Sequence, residues 1–311
     1  MLELNMYLAT LLGLGFLVLF GDMLVHGATQ LSRILKVSDV FIGVVVVGLG
    51  TSLPEILTAV IAAFQGEGGI ATGNVVGSNI ANILLILGTA LVLFGKRGLG
   101  FASARMDYAM MLLVTAVLLL MAALWGELYV LQGGILLALL AGVLYRLTHQ
   151  GRSTFELDPN NLTPHSPTPV LAGKTVLALI GLWLGAELLV DGAGGIAVDF
   201  GLPPEVVGLS IVALGTSLPE LAATFAAFRL RNGRMILGNV IGSNLLNILA
   251  ALGLAALVTP LSLVGMGVSL GVMALAAVAV LPLFIWSKLP ARLIGLLFLV
   301  GYVFYIYYIY S

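Results

Sequence analysis

One segment of this chain is written twice, and the duplication limits the folds open to it more than any other feature. Gly50-Thr51-Ser52-Leu53-Pro54-Glu55 returns unchanged as Gly215-Thr216-Ser217-Leu218-Pro219-Glu220. Gly73-Asn74-Val75-Val76-Gly77-Ser78-Asn79 returns at Gly238–Asn244 with one change, Val76 to Ile241. Asn82-Ile83-Leu84 matches Asn247-Ile248-Leu249, and Leu24-Val25 and Gly27-Ala28 match Leu189-Val190 and Gly192-Ala193. All these pairs stand 165 positions apart, as Gly50 does from Gly215. A constant offset without gaps marks a duplicated structural unit.

The unit is suited to lipid. Of 311 residues, 60% are hydrophobic and 9% charged, whereas a soluble domain carries about 25% charged residues. So few charges cannot cover a wet surface. A bilayer-spanning helix needs roughly 20 mostly apolar residues. Ten such segments are predicted, near 5–28, 38–64, 69–94, 104–124, 128–147, 171–198, 203–228, 234–258, 261–286 and 290–309. The one long polar stretch, Thr148 to Pro169, holds Asp158-Pro159-Asn160-Asn161 and prolines at 164, 167 and 169, and reads as a linker. It divides the chain into a first five-helix repeat (1–147), a linker (148–170) and a second five-helix repeat (171–311). The 39 glycines suit close helix approach in membranes. The absence of cysteine excludes disulfides and thiolate metal sites. A net charge of −1 argues against nucleic-acid binding. The N-terminus lacks the basic region of a cleaved signal, so the first apolar run is expected to be a span.

The basic residues test that count. Arg33 and Lys36 follow span one; Lys96, Arg97 and Arg105 follow span three; Arg146, Arg152 and Lys174 flank the linker. Arg229, Arg231 and Arg234 follow span seven, and Lys288 and Arg292 follow span nine. All 13 Lys and Arg therefore fall in alternate connections, and acidic residues (Glu3, Glu67, Glu127, Glu205) occupy the other side. Basic loops stay cytoplasmic. The prediction is a multi-pass protein of the plasma (inner) membrane with the linker inside and both termini outside. Tyr302, Tyr305, Tyr307, Tyr308 and Tyr310 are expected to form an outer aromatic belt. Five spans is an odd number, so the second unit enters from the opposite face. The fold class is an all-α membrane protein of two inverted repeats with broken helices at the midplane, the layout with which secondary transporters alternate access to a central site.

Glu55 and Glu220 lie in spans almost free of charge, with no Lys, Arg or His at matching depth. A carboxylate there must face the bundle interior and find a partner, and a cation or proton supplies the missing charge. Thr51 and Ser52 lie four and three residues before Glu55 and share its helical face; Thr216 and Ser217 stand likewise before Glu220. Pro54 lacks a backbone donor and frees carbonyls nearby, and Gly48 and Gly50 loosen the same place. Such a break is tolerated where it lines a cavity or is buried in protein. Ser78 with Asn82, and Ser243 with Asn247, add oxygens on one face of the following spans. The result is an all-oxygen shell fit for calcium, which takes about 6–8 oxygen ligands, or for sodium. No soft ligand favours copper, zinc or iron.

At these residues the chain resembles the sodium/calcium exchanger superfamily of cation antiporters, as a prokaryotic ten-span member. The two motif pairs look like that family's α-repeats, and the likeness extends over spans, linker and termini. It implies Glu55 and Glu220 as central calcium ligands, with Thr51, Ser52, Ser78, Thr216, Ser217 and Ser243 completing calcium and sodium sites. It also implies an outer sodium site at the carbonyls near Gly48 and Ala213, and spans one and six sliding as a gate across the other eight. One position departs from the family: many members carry Asp where this chain has Asn247. Two carboxylates match one calcium ion, whereas three sodium ions would leave surplus positive charge in low dielectric. The reading is a monomeric sodium/calcium antiporter that exports Ca2+, with Na+ and Ca2+ as substrates, no cofactor and the lipid bilayer as surroundings. Proton/calcium or other proton-coupled antiport, with Glu55 and Glu220 as proton carriers, is the alternative.

Blander readings stand beside these. Single Thr or Ser hydroxyls often bond a carbonyl one turn earlier, Ser78 and Ser243 could serve close packing, and Asn79 and Asn244 are read as bridges to freed backbone groups. Asp22 and Glu187 occupy equivalent positions, as do His26 and Asp191, and are placed toward the outer half. An intramembrane hydrolase at Ser52 or Ser217 needs a positioned base; His26, His149 and His165 are the only histidines and no Lys lies in a span core. A passive channel is disfavoured because deep multidentate binding opposes rapid permeation.

Overall fold

A computed structural model describes residues 2–150, 168–199, 215–286 and 288–310. Nearly all of it is helical, because an apolar chain in lipid must satisfy its backbone N–H and C=O groups within each segment. The first repeat begins with α1 (Leu2–Leu35). A broken span follows: α2 (Asp39–Ile42), a π-helical turn (Gly43–Gly48), α3 (Leu49–Thr51) and α4 (Leu53–Phe64). Next come α5 (Gly68–Ala81), a second π turn (Asn82–Leu87) and α6 (Gly88–Leu99), then α7 (Arg105–Trp125) and α8 (Val130–Gln150). The second repeat holds α9 (Thr168–Asp199), α10 (Leu218–Arg229), α11 (Gly233–Leu246), a third π turn (Asn247–Leu252) and α12 (Gly253–Val258). It ends with α13 (Gly267–Ala279), α14 (Leu281–Ile285) and α15 (Ala291–Tyr310).

Among the described residues, eight helices are long and apolar enough to cross a membrane, and the pair Val40–Thr51 and Leu53–Phe64, bent by 44°, makes a ninth. Of the predicted span 203–228, the part before Gly215 lies outside the described residues, and α10 supplies the rest. The linker's residues 151–167 also lie outside them. The sequence offset reappears as geometry. α4 and α10, α5 and α11, and the π turns Asn82–Leu87 and Asn247–Leu252 each begin and end 165 positions apart.

The basic connections gather at one end of the bundle. Arg229, closing α10, bonds Asp22 of α1 (Nη2–Oδ1 2.6 Å), and Arg146 of α8 bonds Asp107 at the start of α7 (3.4 Å). Lys96 donates to the Trp286 carbonyl. At the other end, the connections after α7 and α12 pair as two-residue antiparallel strands, β1 (Glu127–Leu128) and β2 (Leu261–Ser262). α4 leads into Gly68, which packs on the Pro260 carbonyl beside β2, whereas α10 leads to Arg229 at the basic end. The two motif copies therefore run antiparallel, as inversion requires.

α5–α6 and α11–α12 are the most enclosed spans, with Ile80, Ile83, Ile86, Leu87, Leu249 and Leu252 fully buried. α1 and α9 pack antiparallel, chiefly on each other. Their backbones touch: a Cβ on Gly13 would stand 2.5 Å from the Leu189 nitrogen, and one on Gly185 3.1 Å from the Leu17 nitrogen. Their outer faces show Leu11, Leu19, Leu177 and Trp183 to the surroundings.

Two sequence expectations change here. Tyr302 and Tyr305 are buried in the bundle, Tyr307 and Tyr308 are exposed, and the Tyr310 side chain lies outside the described residues; α15 turns two of its tyrosines into the core. Asp22 and Glu187 do not share the outer half. Asp22 reaches the basic end through Arg229, while Glu187 stands beside Leu189, which packs on Gly13 near the opposite end of α1. Equivalent positions in inverted repeats must lie in opposite halves of the bilayer.

Candidate ion-binding site

Ser52 is the corner of the broken span. With φ −83° and ψ 0° it ends α3 and caps α4. Pro54 has no N–H, so the Gly50 carbonyl loses its helical donor. Ser217 takes nearly the same conformation, φ −90° and ψ 2°, ahead of Leu218-Pro219. The corners place Glu55 and Glu220 in the first turns of α4 and α10, aimed into the bundle. Both are 1% exposed and close enough for their carboxylates to repel. None of the ion pairs among the described residues involves either glutamate.

α11 presses directly on the broken span. A Cβ on Gly238 would stand 2.5 Å from the Val40 carbonyl oxygen, and one on Gly43 2.5 Å from that of Met235. A Cβ on Gly48 would stand 3.3 Å from the Ser243 nitrogen. This approach brings Thr51 Oγ1 to Asn239 Oδ1 at 3.2 Å, while the same hydroxyl back-bonds the Val47 carbonyl at 3.0 Å. A hydroxyl whose hydrogen is given away still offers lone pairs to a cation. Ser52 Oγ donates to Glu220 Oε1 at 3.4 Å, joining the repeats. Ser243 lies beside Glu220 without completing a hydrogen bond.

Asn74, Ser78 and Asn82 stack four apart along one face of α5 and its π turn, and Asn239, Ser243 and Asn247 do so along α11. Sequence reasoning took in the last two of each row and missed Asn74 and Asn239. The repeated spacing of four was the available signal. Asn74 Nδ2 donates to the Glu55 carbonyl at 3.1 Å. Asn79 and Asn244 turn aside and donate to the Val75 and Val240 carbonyls, each at 2.7 Å, the backbone role expected of them. Ser78, Ser217 and Gly48 are buried, Thr216 is half-buried, and Ala213 lies outside the described residues.

Glu55 Oε2, Glu220 Oε2, Asn82 Oδ1, Asn247 Oδ1 and Ser243 Oγ are enclosed without a hydrogen-bond partner, as are Asn79 Oδ1 and the amide nitrogens of Asn82, Asn239 and Asn247. A buried polar atom left unpaired costs about 1–3 kcal/mol, more for a charge. Such a set is maintained only where something else satisfies it, and two buried carboxylates accompanied by neutral oxygens are complementary to a cation. Among the described residues no three His, Cys, Asp or Glu side chains cluster. Two carboxylates plus neutral oxygens suit a hard ion of calcium or sodium type. Asn82 and Asn247 each open a π turn, a distortion that recurs at functional sites.

Comparison with known proteins agrees with the fold. The family described as "Sodium/calcium exchanger protein" matches residues 6–148 and 171–311. The chain belongs to the sodium/calcium exchanger family. Among its relatives, the sodium/calcium exchanger MaX1 of Methanosarcina acetivorans is 32% identical over 84% of this chain and 85% of its own length. The putative antiporter CaxA of Alkalimonas amylolytica is 36% identical over 80% of each chain. The inner membrane protein YrbG of Escherichia coli is 34% identical over 96% of this chain and 95% of its own. The solved structure of the sodium-calcium exchanger NCX_Mj, soaked with Na+ and Sr2+, superposes with a TM-score of 0.83 at 33% identity, covering 97% of this chain and 98% of that one. As a sodium/calcium exchanger family member, the chain is a multi-pass membrane antiporter of cations including Ca2+, and its family is one of transporters, not catalysts.

Proposed function

We propose that the chain exchanges Na+ for Ca2+ by alternating access around the cage between Glu55 and Glu220, and that it exports Ca2+. The observation that carries this reading is a pair of buried carboxylates, each with an unpartnered oxygen, accompanied by three further unpartnered oxygens (Asn82 Oδ1, Asn247 Oδ1 and Ser243 Oγ), with no basic side chain bonded to either glutamate among the described residues. Glu55 and Glu220 are the central ligands. Thr51, Ser52, Thr216, Ser217, Ser78, Ser243, Asn82 and Asn247 complete the shell, with backbone oxygen near Gly48 and Ala213. The glycine-lined α1–α9 pair, largely exposed outward, is the element that slides as a gate. Basic loops stay cytoplasmic, so the basic end faces the cytoplasm and both termini face out. Sodium coupling is supported by the hydroxyl-rich shell and by what MaX1 and NCX_Mj are named for.

The test is calcium-45 flux in proteoliposomes against an imposed sodium gradient, on wild type, Glu55→Gln and Glu220→Gln. Wild-type flux follows sodium, and each Gln variant loses exchange. Full exchange retained in both variants refutes the site. A second reading, proton-coupled antiport, draws on Asn247: with an amide there, each of the two carboxylates can carry one proton against one Ca2+. Flux at fixed sodium between pH 6 and pH 8 separates the two, since calcium flux that follows pH and ignores sodium selects the proton.

A further inference from the structure

The two repeats meet the α1–α9 pair differently. α1 lies along α10 toward the basic end: a Cβ on Gly21 would stand 3.2 Å from the Ala222 carbonyl oxygen and 3.6 Å from the Ala226 Cβ. Inversion predicts α9 along α4 toward the β1–β2 end, with Leu57 and Ile61 in the places of Ala222 and Ala226. Among the described residues α9 makes no comparable packing on α4. Ile61 is 53% exposed, whereas Ala226 is 1% exposed. The pair is closed on the second repeat at the basic end and stands off the first repeat at the other.

Side chains fasten the closed contact. Arg229 Nη2 donates to Asp22 Oδ1 at 2.6 Å and to the Val18 carbonyl at 3.5 Å. Nearer the end of α1, Asn232, which caps α11, donates through Nδ2 to Thr29 Oγ1 at 3.4 Å. The twin positions hold nothing alike: Glu187 with Phe64, and Gly194 with Glu67. Phe64 is exposed, and Glu187 joins no ion pair among the described residues. Exposure decides what the Asp22–Arg229 pair can do. Both side chains are partly in solvent, so both charges rehydrate when they separate, and the pair adds little to overall stability. A buried pair would oppose every opening with the cost of an uncompensated charge.

We propose that Asp22 and Arg229 form a latch that holds α1 on α10 and favours the state shut at the basic end, and that the β1–β2 end has no equivalent. The latch rests on the reading of α1 and α9 as the gate. Its consequence is an exchanger biased at rest toward opening at the β1–β2 face, and the bias is set outside the cage.

The chain has no cysteine, so Ala226→Cys places a single thiol beneath α1. Its rate of reaction with a charged, membrane-impermeant methanethiosulfonate applied at the basic-end face reports how often α1 leaves α10. Labelling of exposed Ser103→Cys in parallel vesicles fixes their orientation. With sodium and calcium equal on both sides, Arg229→Gln is expected to raise the rate about two- to fivefold, the range of an exposed ion pair read as a change of population. Asp22→Asn matches it, and the swap of Asp22→Arg with Arg229→Asp restores the slow rate. An unchanged rate in Arg229→Gln, or a swap as fast as the single variants, overturns the latch. The same thiol keeps latch and gate apart. Where the Ala226→Cys rate differs between ion-free and exchanging conditions, α1 moves, and an unmoved Arg229→Gln rejects the latch alone. A rate indifferent to ions in every background rejects the gate beneath it, and the latch with it.

Discussion

Replacing Gly238 by alanine tests whether backbone contact between α11 and the broken span sets the cage. The added Cβ would stand 2.5 Å from the Val40 carbonyl oxygen and 3.1 Å from both the Val40 and Gly43 Cα atoms. A comfortable carbon–oxygen contact is about 3.5 Å, and all three neighbours are backbone, so no side chain can swing aside. The helices must separate by roughly 1 Å. Overpacking of this kind costs about 1–3 kcal/mol, only partly offset by the helix preference of Ala over Gly, about 1 kcal/mol. The functional cost is larger. Calcium–oxygen distances span about 2.3–2.6 Å, so a 1 Å displacement takes ligands on one wall out of range, and the Thr51–Asn239 contact at 3.2 Å opens with it. Losing one or two ligands at about 1.4 kcal/mol each lowers calcium affinity about 10- to 100-fold. The assay is calcium-45 flux over a calcium titration, with thermal melts of the purified protein with and without calcium. Gly134→Ala, at an exposed helical glycine with nothing within 4 Å of the added atom, is the control and should keep wild-type affinity. Wild-type calcium dependence in Gly238→Ala would show that the cage does not depend on this contact.

Further outcomes follow from the same geometry. Asn247→Asp puts a third carboxylate in the enclosed cage; at separations of about 6 Å and an effective dielectric near 20, each like-charge pair costs about 2–3 kcal/mol. The variant should melt below wild type in chelator and gain more from calcium than wild type does, which a calorimetric scan with and without calcium measures. Asp22→Asn breaks the pair with Arg229, but both side chains are well exposed, at 37% and 48%. The cost should stay within about 1 kcal/mol, and a melt shifted by more than a few degrees would show that the pair holds α1 against α10 more firmly than its exposure allows.

The duplication was legible because identity at a fixed offset needs no structural knowledge, and the alternating Lys and Arg carried span count and direction with it. Glu55 and Glu220 stood out because a carboxylate in lipid needs a reason. The π turns after Ala81 and Leu246 were not legible, since no spacing of apolar residues distinguishes a π turn from the α-helix around it. The crossing of Gly43 on Gly238 joins residues far apart in the chain, and nothing local to either glycine announces it. Asn74 and Asn239 were readable from their spacing of four, one turn before Ser78 and Ser243. The misplacement of Asp22 came from treating equivalent positions as equal in depth, which inversion forbids.

The same inversion explains where the repeats differ. An ion in the proposed cage would touch both copies at once, and Thr51 and Thr216, Glu55 and Glu220, Ser78 and Ser243, and Asn82 and Asn247 are matched residue for residue. Outward from the cage each copy meets a different end of the bundle and owes nothing to its twin. There Ala59 stands against Thr224, Phe64 against Arg229 and His26 against Asp191. Arg229 pairs with Asp22 at the basic end, whereas Phe64, in Arg229's place in the first repeat, offers Glu187 no charge. Symmetry is therefore held at the residues proposed as ligands and released within a single helical turn. Residues outside the cage can therefore differ from one exit to the other without disturbing the ligands the two exits share.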